Sequence, residues 1–208
     1  MAIVSFSRKF IFIKTRKTAG TSIQKSLVKF CDENDIVTYG RRNLINKKEC
    51  VIEEFASLED IEDKFKVDTK DYFKFGFTRN PFSIVLSRYL FHMKRKHLLG
   101  EANKKGFNSW VKAKYFGGRP TVRDGDRSRL LLFDQSFIPT VDFIGKVENI
   151  GEDFNKVVKR IGLEDVKLAW VNKSNVKGIE YREWMSGPNK KRVEDFFDFE
   201  LDYFKYKF

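Results

Sequence analysis

A chain of 208 residues with 41% hydrophobic and 15% aromatic residues, 22 Phe among them, has the composition of one folded domain and not of a disordered segment. Its 41 Lys and Arg against 29 Asp and Glu leave a formal charge of +12, which calls for an anionic partner without choosing among nucleotide, acidic polysaccharide, nucleic acid and membrane surface. No apolar run approaches the ~20 residues of a membrane-spanning helix. Cys31 and Cys50 make no metal-ligand pattern, and residues 1–14 lack a small-residue cleavage site, so the expectation is a cytoplasmic protein with reduced thiols.

The N-terminal segment 1–14 reads as a first strand, with Phe10-Ile11-Phe12-Ile13 its fully apolar, buried part. A loop follows, and Thr21 or Ser22 suits the N-cap of a helix with apolar positions Ile23, Leu27, Val28 and Phe30. Val51-Ile52 suggests a strand, and residues 57–65 a short helix capped by Ser57 with Asp60 at its third position. Residues 72–77 form the second strong strand. Thr78-Arg79-Asn80 is its loop, and Pro81 opens a helix to about Met93. Residues 94–105 are basic, 107–116 helical, and 117–129 a loop rich in Gly and Arg. A third strand is expected at 141–147 and an amphipathic helix at 152–161, stopped by Gly162. Residues 172–178 read as a polar loop and 189–201 as a final helix before an aromatic tail. Strands alternating with helices predict an α/β fold with a central, mainly parallel sheet, and no linker divides the chain into more than a single domain.

The loop Lys14-Thr15-Arg16-Lys17-Thr18-Ala19-Gly20-Thr21-Ser22 joins a buried strand to a helix N-terminus, where unpaired N–H groups and the helix dipole favour an anion. Gly20 admits close backbone approach, Lys17 adds a mobile charge, and Thr18, Thr21 and Ser22 add hydroxyls. It is not the phosphate loop of nucleotide hydrolases, because there the Lys follows the Gly. At the second strong strand, Arg79 sits where open α/β sheets bind ligands, and its guanidinium can fork onto a phosphate.

Arg16 to Ser22 closely resembles the 5′-phosphosulfate loop of sulfotransferases that use the nucleotide donor PAPS, in the branch holding carbohydrate sulfotransferases and their bacterial and viral relatives. The same branch carries Arg-Asn-Pro after an aromatic strand and a Ser eight positions beyond the Arg, matched here by Arg79-Asn80-Pro81 and Ser87. The resemblance implies a three-layer fold like that of P-loop NTPases, made of helices flanking the sheet, in one domain over residues 1–208. It implies that Lys17 meets the 5′-phosphate and the oxygen bridging to sulfur. Arg16, Thr18, Ala19, Gly20, Thr21 and Ser22 then wrap that phosphate, and Arg79 and Ser87 hold the 3′-phosphate. Fainter likenesses lie at 142–149, at Asn172-Lys173-Ser174 and at 202–208.

Sulfuryl transfer to a hydroxyl, by this resemblance on a carbohydrate that is acidic or neutral, needs no metal in principle and does need a general base. Relatives place a His before the short helix upstream of the aromatic strand; here that position holds Phe55. Glu54 is the favoured replacement, with Glu53 and His92 as alternatives. The basic segments 94–105 and 117–129 suit an acidic acceptor. Two other readings stand beside this one: a protein that binds PAPS or its product PAP with little transfer, and a basic nucleic-acid-binding protein.

Overall fold

The structure is a computed structural model that describes residues 2–38, 43–45, 48–50, 56–116, 128–171 and 179–208, the short pieces 43–45 and 48–50 as backbone only. The chain forms two compact units: Met1–Thr78 with Ser128–Val171, and Arg79–Arg127 with Asn172–Phe208.

The first unit is built on a five-stranded sheet. β1 (Ala2–Ser5) and β2 (Phe10–Ile13) form a hairpin, with Ala2 opposite Ile13 and Ser5 opposite Phe10. The single strand expected over 1–14 is therefore two, because Ser7, Arg8 and Lys9 stay exposed at a turn in which Lys9 takes a left-handed φ of 51°. β3 (Ile36–Val37) flanks β1, and β6 (Phe73–Thr78) and β7 (Phe143–Lys146) continue the sheet beyond β2, in the order β3-β1-β2-β6-β7. β2, β6 and β7 are mutually parallel, and β1 opposes both its neighbours. Four strands thus run one way and β1 alone runs against them, so the sheet is mainly parallel. A separate ribbon pairs β4 (Asn43–Ile45) with β5 (Lys48–Cys50). The strand expected at Val51-Ile52 lies outside the described residues.

Alternate residues of β2 and β6 place Phe10, Phe12, Phe75 and Phe77 on one face, and all four are fully buried. Phe12 stacks on Phe75 at 5.3 Å between ring centres, and Phe77 meets Phe75 edge-on at 6.5 Å. Burial of each such ring is worth about 1.5–3 kcal/mol. α1 (Gly20–Leu27) covers this face with Ile23 and Leu27, and α6 (Ile150–Arg160) with Phe154, Val157 and Val158. Gly162, at φ 69°, ends that helical segment as expected. On the opposite face α5 (Arg129–Leu132) presses Leu132 onto Gly76. The buried carboxylate of Asp35 closes the hairpin end of the unit, accepting from Ser5 Oγ at 2.8 Å, Phe6 N at 2.7 Å and Asp32 N at 2.9 Å. α2 (Leu58–Phe65) begins with the reciprocal cap foreseen from its sequence: Asp60 N donates to Ser57 Oγ at 3.1 Å, and Ser57 N to Asp60 Oδ2 at 2.7 Å.

The second unit is helical. α3 (Pro81–Arg95) starts at Pro81 with Asn80 as N-cap, whose Oδ1 accepts from Phe82 N at 3.1 Å. α4 (Lys104–Phe116), α7 (Tyr181–Trp184), α8 (Gly187–Phe196) and α9 (Asp198–Tyr203) complete it around Phe82, Val85, Tyr89, Phe107, Trp184 and Phe197. The one final helix expected over 189–201 is interrupted at Phe197, whose φ of −112° and ψ of 29° leave helical geometry while its ring is fully buried. Asn108 ties the helices: it accepts from Ser186 N at 2.8 Å and donates to Trp184 O at 2.6 Å. No helix among the described residues is long and apolar enough to cross a membrane.

Candidate functional site

β2 ends at Ile13, and its chain turns into α1 through residues 14–19. Lys17 (φ 61°) and Ala19 (φ 58°) both adopt left-handed backbone on either side of Thr18. Such conformations cost non-glycine residues energy and turn successive N–H groups toward one concavity, an anion-binding arrangement. Ala19 is the N-cap of α1, with no side-chain cap. The expectation of Thr21 or Ser22 as cap is corrected: Ala19 O accepts from Ser22 N at 2.8 Å and Ile23 N at 3.2 Å, so the helix starts earlier. The N–H groups of Gly20 and Thr21 fall in the first turn, where no intrahelical acceptor exists.

Hydroxyls brace the turn from within. Thr15 Oγ1 donates to Phe77 O near the carboxyl end of β6. A hydroxyl has one proton, so Thr18 is the donor to Thr15, shared between its Oγ1 at 2.7 Å and its carbonyl at 3.1 Å. Ser22 Oγ donates to Val171 O at 3.2 Å and accepts from Val171 N at 3.1 Å. Ser26 Oγ, one turn on, accepts from Ala169 N at 2.7 Å. The hydroxyls of Thr18 and Ser22, read from sequence as donors to a ligand, are thus turned into the protein; both residues are buried. What the turn offers an anion is main-chain N–H, helped by Lys17 and Thr21, both half-buried.

Lys14 is the residue sequence reasoning passed over. It is 6% exposed, its stem lies across Gly20, and its Nζ donates to Thr21 Oγ1 at 3.1 Å. A Cβ at Gly20 would stand 2.5 Å from Lys14 Cγ and 2.8 Å from Cε. A second cation therefore sits at the α1 N-terminus, and Gly20 is there to let its side chain pass. The local sequence carries no signal for this beyond the Lys itself.

The remaining residues are placed as follows. Arg16 to Ser22 all belong to the first unit, on the turn just described. Arg79 opens the second unit, directly after the last residue of β6, and is half-buried. Ser87 is half-buried on α3, six residues past Pro81, or about 9 Å along the axis at 1.5 Å per residue. Glu53, Glu54 and Phe55 lie outside the described residues, as do 117–127 and 172–178. His92, on α3, packs its ring 6.1 Å from that of Trp110. Burial, then Lys96, Lys114 and Arg95, hold its imidazole below the usual 6.5. Among the described residues no group of three or more His, Cys, Asp or Glu could hold a metal ion.

A model of the sulfotransferase family matches residues 1–207. This chain belongs to the sulfotransferase family. The match runs through both compact units and contains the turn at 14–22 together with Arg79 and Ser87. Its members are transferases, and the carbohydrate branch of the family is not distinguished by the match. A relative in Archaeoglobus fulgidus, described only as an uncharacterized protein, is 33% identical over 97 residues, 45% of this chain and 71% of that one. No solved structure matches.

Proposed function

We propose that this sulfotransferase carries a sulfuryl group from PAPS to a hydroxyl of a carbohydrate, in one domain of the P-loop-like, three-layer type. The observation that carries the reading is the turn at 14–22, where left-handed Lys17 and Ala19 lead into the N-terminus of α1. In this reading, the anion that the turn receives is the donor's 5′-phosphosulfate.

In the transfer, the bond between sulfur and the donor's phosphate oxygen breaks while sulfur bonds to the acceptor oxygen. The acceptor's proton leaves to a base. Lys17 neutralises charge on the departing oxygen, a stabilisation made chiefly in the transition state. Main-chain N–H groups of Thr18, Ala19, Gly20 and Thr21, with Arg16, hold the 5′-phosphate, and Ser22, whose N–H donates to Ala19 O, closes the turn beneath it. Arg79 and Ser87 hold the 3′-phosphate, the group that separates PAPS from ordinary adenine nucleotides. Glu54 is the proposed base and takes the acceptor's proton, and no metal takes part.

Calorimetric titration with PAP and AMP tests the donor. Tight PAP binding, weak AMP binding, and loss of PAP binding in Lys17→Ala and in Arg79→Ala are expected; equal affinity for the two nucleotides refutes the reading. For the base, Glu54→Gln should abolish transfer and keep PAP affinity, whereas Glu53→Gln and His92→Gln should retain transfer. Unimpaired transfer by Glu54→Gln would remove that assignment.

A further inference from the structure

Asn80 does more than cap α3. The cap needs one acceptor, its Oδ1, which takes Phe82 N at 3.1 Å, and Ser, Thr or Asp would serve there as well. The amide carries in addition an NH2 group set apart from that oxygen. Its Nδ2 donates to the main-chain carbonyl of Lys207 at 2.9 Å, 127 residues away in the chain, and lies 3.5 Å from the Tyr181 hydroxyl. Asn80 is buried, so this amide works largely out of water.

The neighbouring Phe208 is held at the same place by ring packing. It meets Phe82, in the first turn of α3, edge-on at 4.9 Å between ring centres, and Tyr181 at 5.6 Å. The Lys190 ammonium lies 4.5 Å from its centre, and Phe82 stacks in turn on Tyr181 at 5.9 Å. A hydrogen bond to the main chain of 207 and aromatic contacts of 208 thus converge on residues 80–82.

Arg79 is the residue directly before this anchorage, and it is half-buried. A guanidinium forks onto a phosphate only in a narrow range of geometry, so the main chain from which it springs must be held still. A side chain ordered in advance also loses less freedom on binding than one the ligand has to order. We propose that Asn80, Lys207 and Phe208 are positioning residues for Arg79, and that their anchorage sets how strongly the protein prefers a nucleotide with a 3′-phosphate over one without. The proposal rests on the donor reading above, in which Arg79 meets the 3′-phosphate.

The test titrates the full chain with PAP and with AMP, which lacks the 3′-phosphate. Asn80→Ser keeps a cap for α3 and withdraws the arm to Lys207. Phe208→Ala removes the ring, and Phe208→Tyr keeps it. Val111→Ala removes buried volume from α4, which carries none of the residues just named, and serves as a control for lost stability. Asn80→Ser and Phe208→Ala should each lose about tenfold in PAP affinity while AMP affinity stays within about twofold. Phe208→Tyr should keep the parent's PAP affinity. Val111→Ala should lower Tm and leave the ratio of PAP to AMP affinity unchanged. In an Arg79→Ala background, Asn80→Ser and Phe208→Ala should leave the residual PAP affinity where it is, because the residue they act through is gone. Equal losses for PAP and AMP would reduce the anchorage to stability alone and overturn the proposal. Unchanged PAP affinity in Asn80→Ser and Phe208→Ala overturns it too, as does a loss that persists in full without Arg79. A parent protein that binds PAP no better than AMP defeats the donor reading and this proposal with it. A parent that discriminates, with variants that discriminate equally well, defeats this proposal alone. Melting curves confirm that each variant is folded.

Discussion

The hydroxyl of Thr15 donates to the main-chain carbonyl of Phe77, tying the turn after β2 to the next-to-last residue of β6. The contact joins neighbouring parallel strands just beyond the pairing of Ile13 with Gly76. It also orders Thr18, which donates to Thr15. Replacing Thr15 by Val keeps the shape and leaves the Phe77 carbonyl buried without this donor. The expected cost is about 1–3 kcal/mol in denaturant unfolding, a fall of several degrees in Tm for a chain of this size, with weaker PAP binding beside it. Unchanged stability would show that the bond contributes nothing to holding the turn.

Gly20→Ala tests the crossing of Lys14 over the helix start. Gly20 sits in ordinary helical backbone, and Ala is the better helix former, so the fold should keep its stability within about 1 kcal/mol. The new methyl must displace the Lys14 stem and break its bond to Thr21. PAP affinity should fall about tenfold or more, and a further Lys14→Ala change should add little, because both act on one contact. Full additivity of the two changes would place Lys14 and Gly20 in separate roles.

Cys31 should be an inert thiol in the folded protein. Burial, then the carboxylates of Asp35 and Asp32, push it from 9.0 up to about 12, with Arg8 opposing. The folded state therefore keeps a proton that the unfolded chain gives up. This contribution to stability is complete below pH 9.0 and is lost as pH rises toward about 12. In a Cys50→Ser background, alkylation at pH 8.5 should be many times slower for the native protein than for the denatured one, since only the thiolate reacts. Equal rates would contradict the burial argument.

His92 should titrate below 6.5, for the burial and the three cations named above. Its neutral form is thus favoured in the folded state. The associated stability is present above 6.5 and declines as pH falls through the folded value. The proton resonances of the His92 imidazole, followed across pH, should give a midpoint below 6.5. Lys96→Gln should move it upward. A titration at or above 6.5 would mean that the cations do not crowd the ring.

Several elements were legible because their causes are local. Pro81 after Asn80 marks the start of α3, Ser57 and Asp60 cap α2, and Gly162 stops the segment of α6, each through geometry confined to a few residues. The aromatic alternation of β2 and β6 likewise announced buried strands. The hairpin β1–β2 was read as a single strand because its turn has no Gly, Asn or Pro to mark it, only Lys9 in left-handed backbone. The break at Phe197 was missed because nothing in Asp195-Phe196-Phe197-Asp198 opposes a helix. Burial of the Phe197 ring accompanies the bend.

For the site, sequence by itself determined that the loop at 14–22 joins a buried strand to a helix start, an arrangement suited to an anion, and the resemblance of Arg16 to Ser22, Arg79 and Ser87 to known motifs pointed to the sulfotransferase family. The order of strand, turn and helix is enough to place main-chain N–H groups at a helix start. Only the tertiary structure decided which side chains brace that turn and which face outward. Thr15 finds its acceptor 62 residues away in Phe77, and Ser22 finds its partner 149 residues away in Val171. A hydroxyl takes whichever donor or acceptor packing brings within about 3 Å, and that choice is made across the fold, where no local pattern reaches.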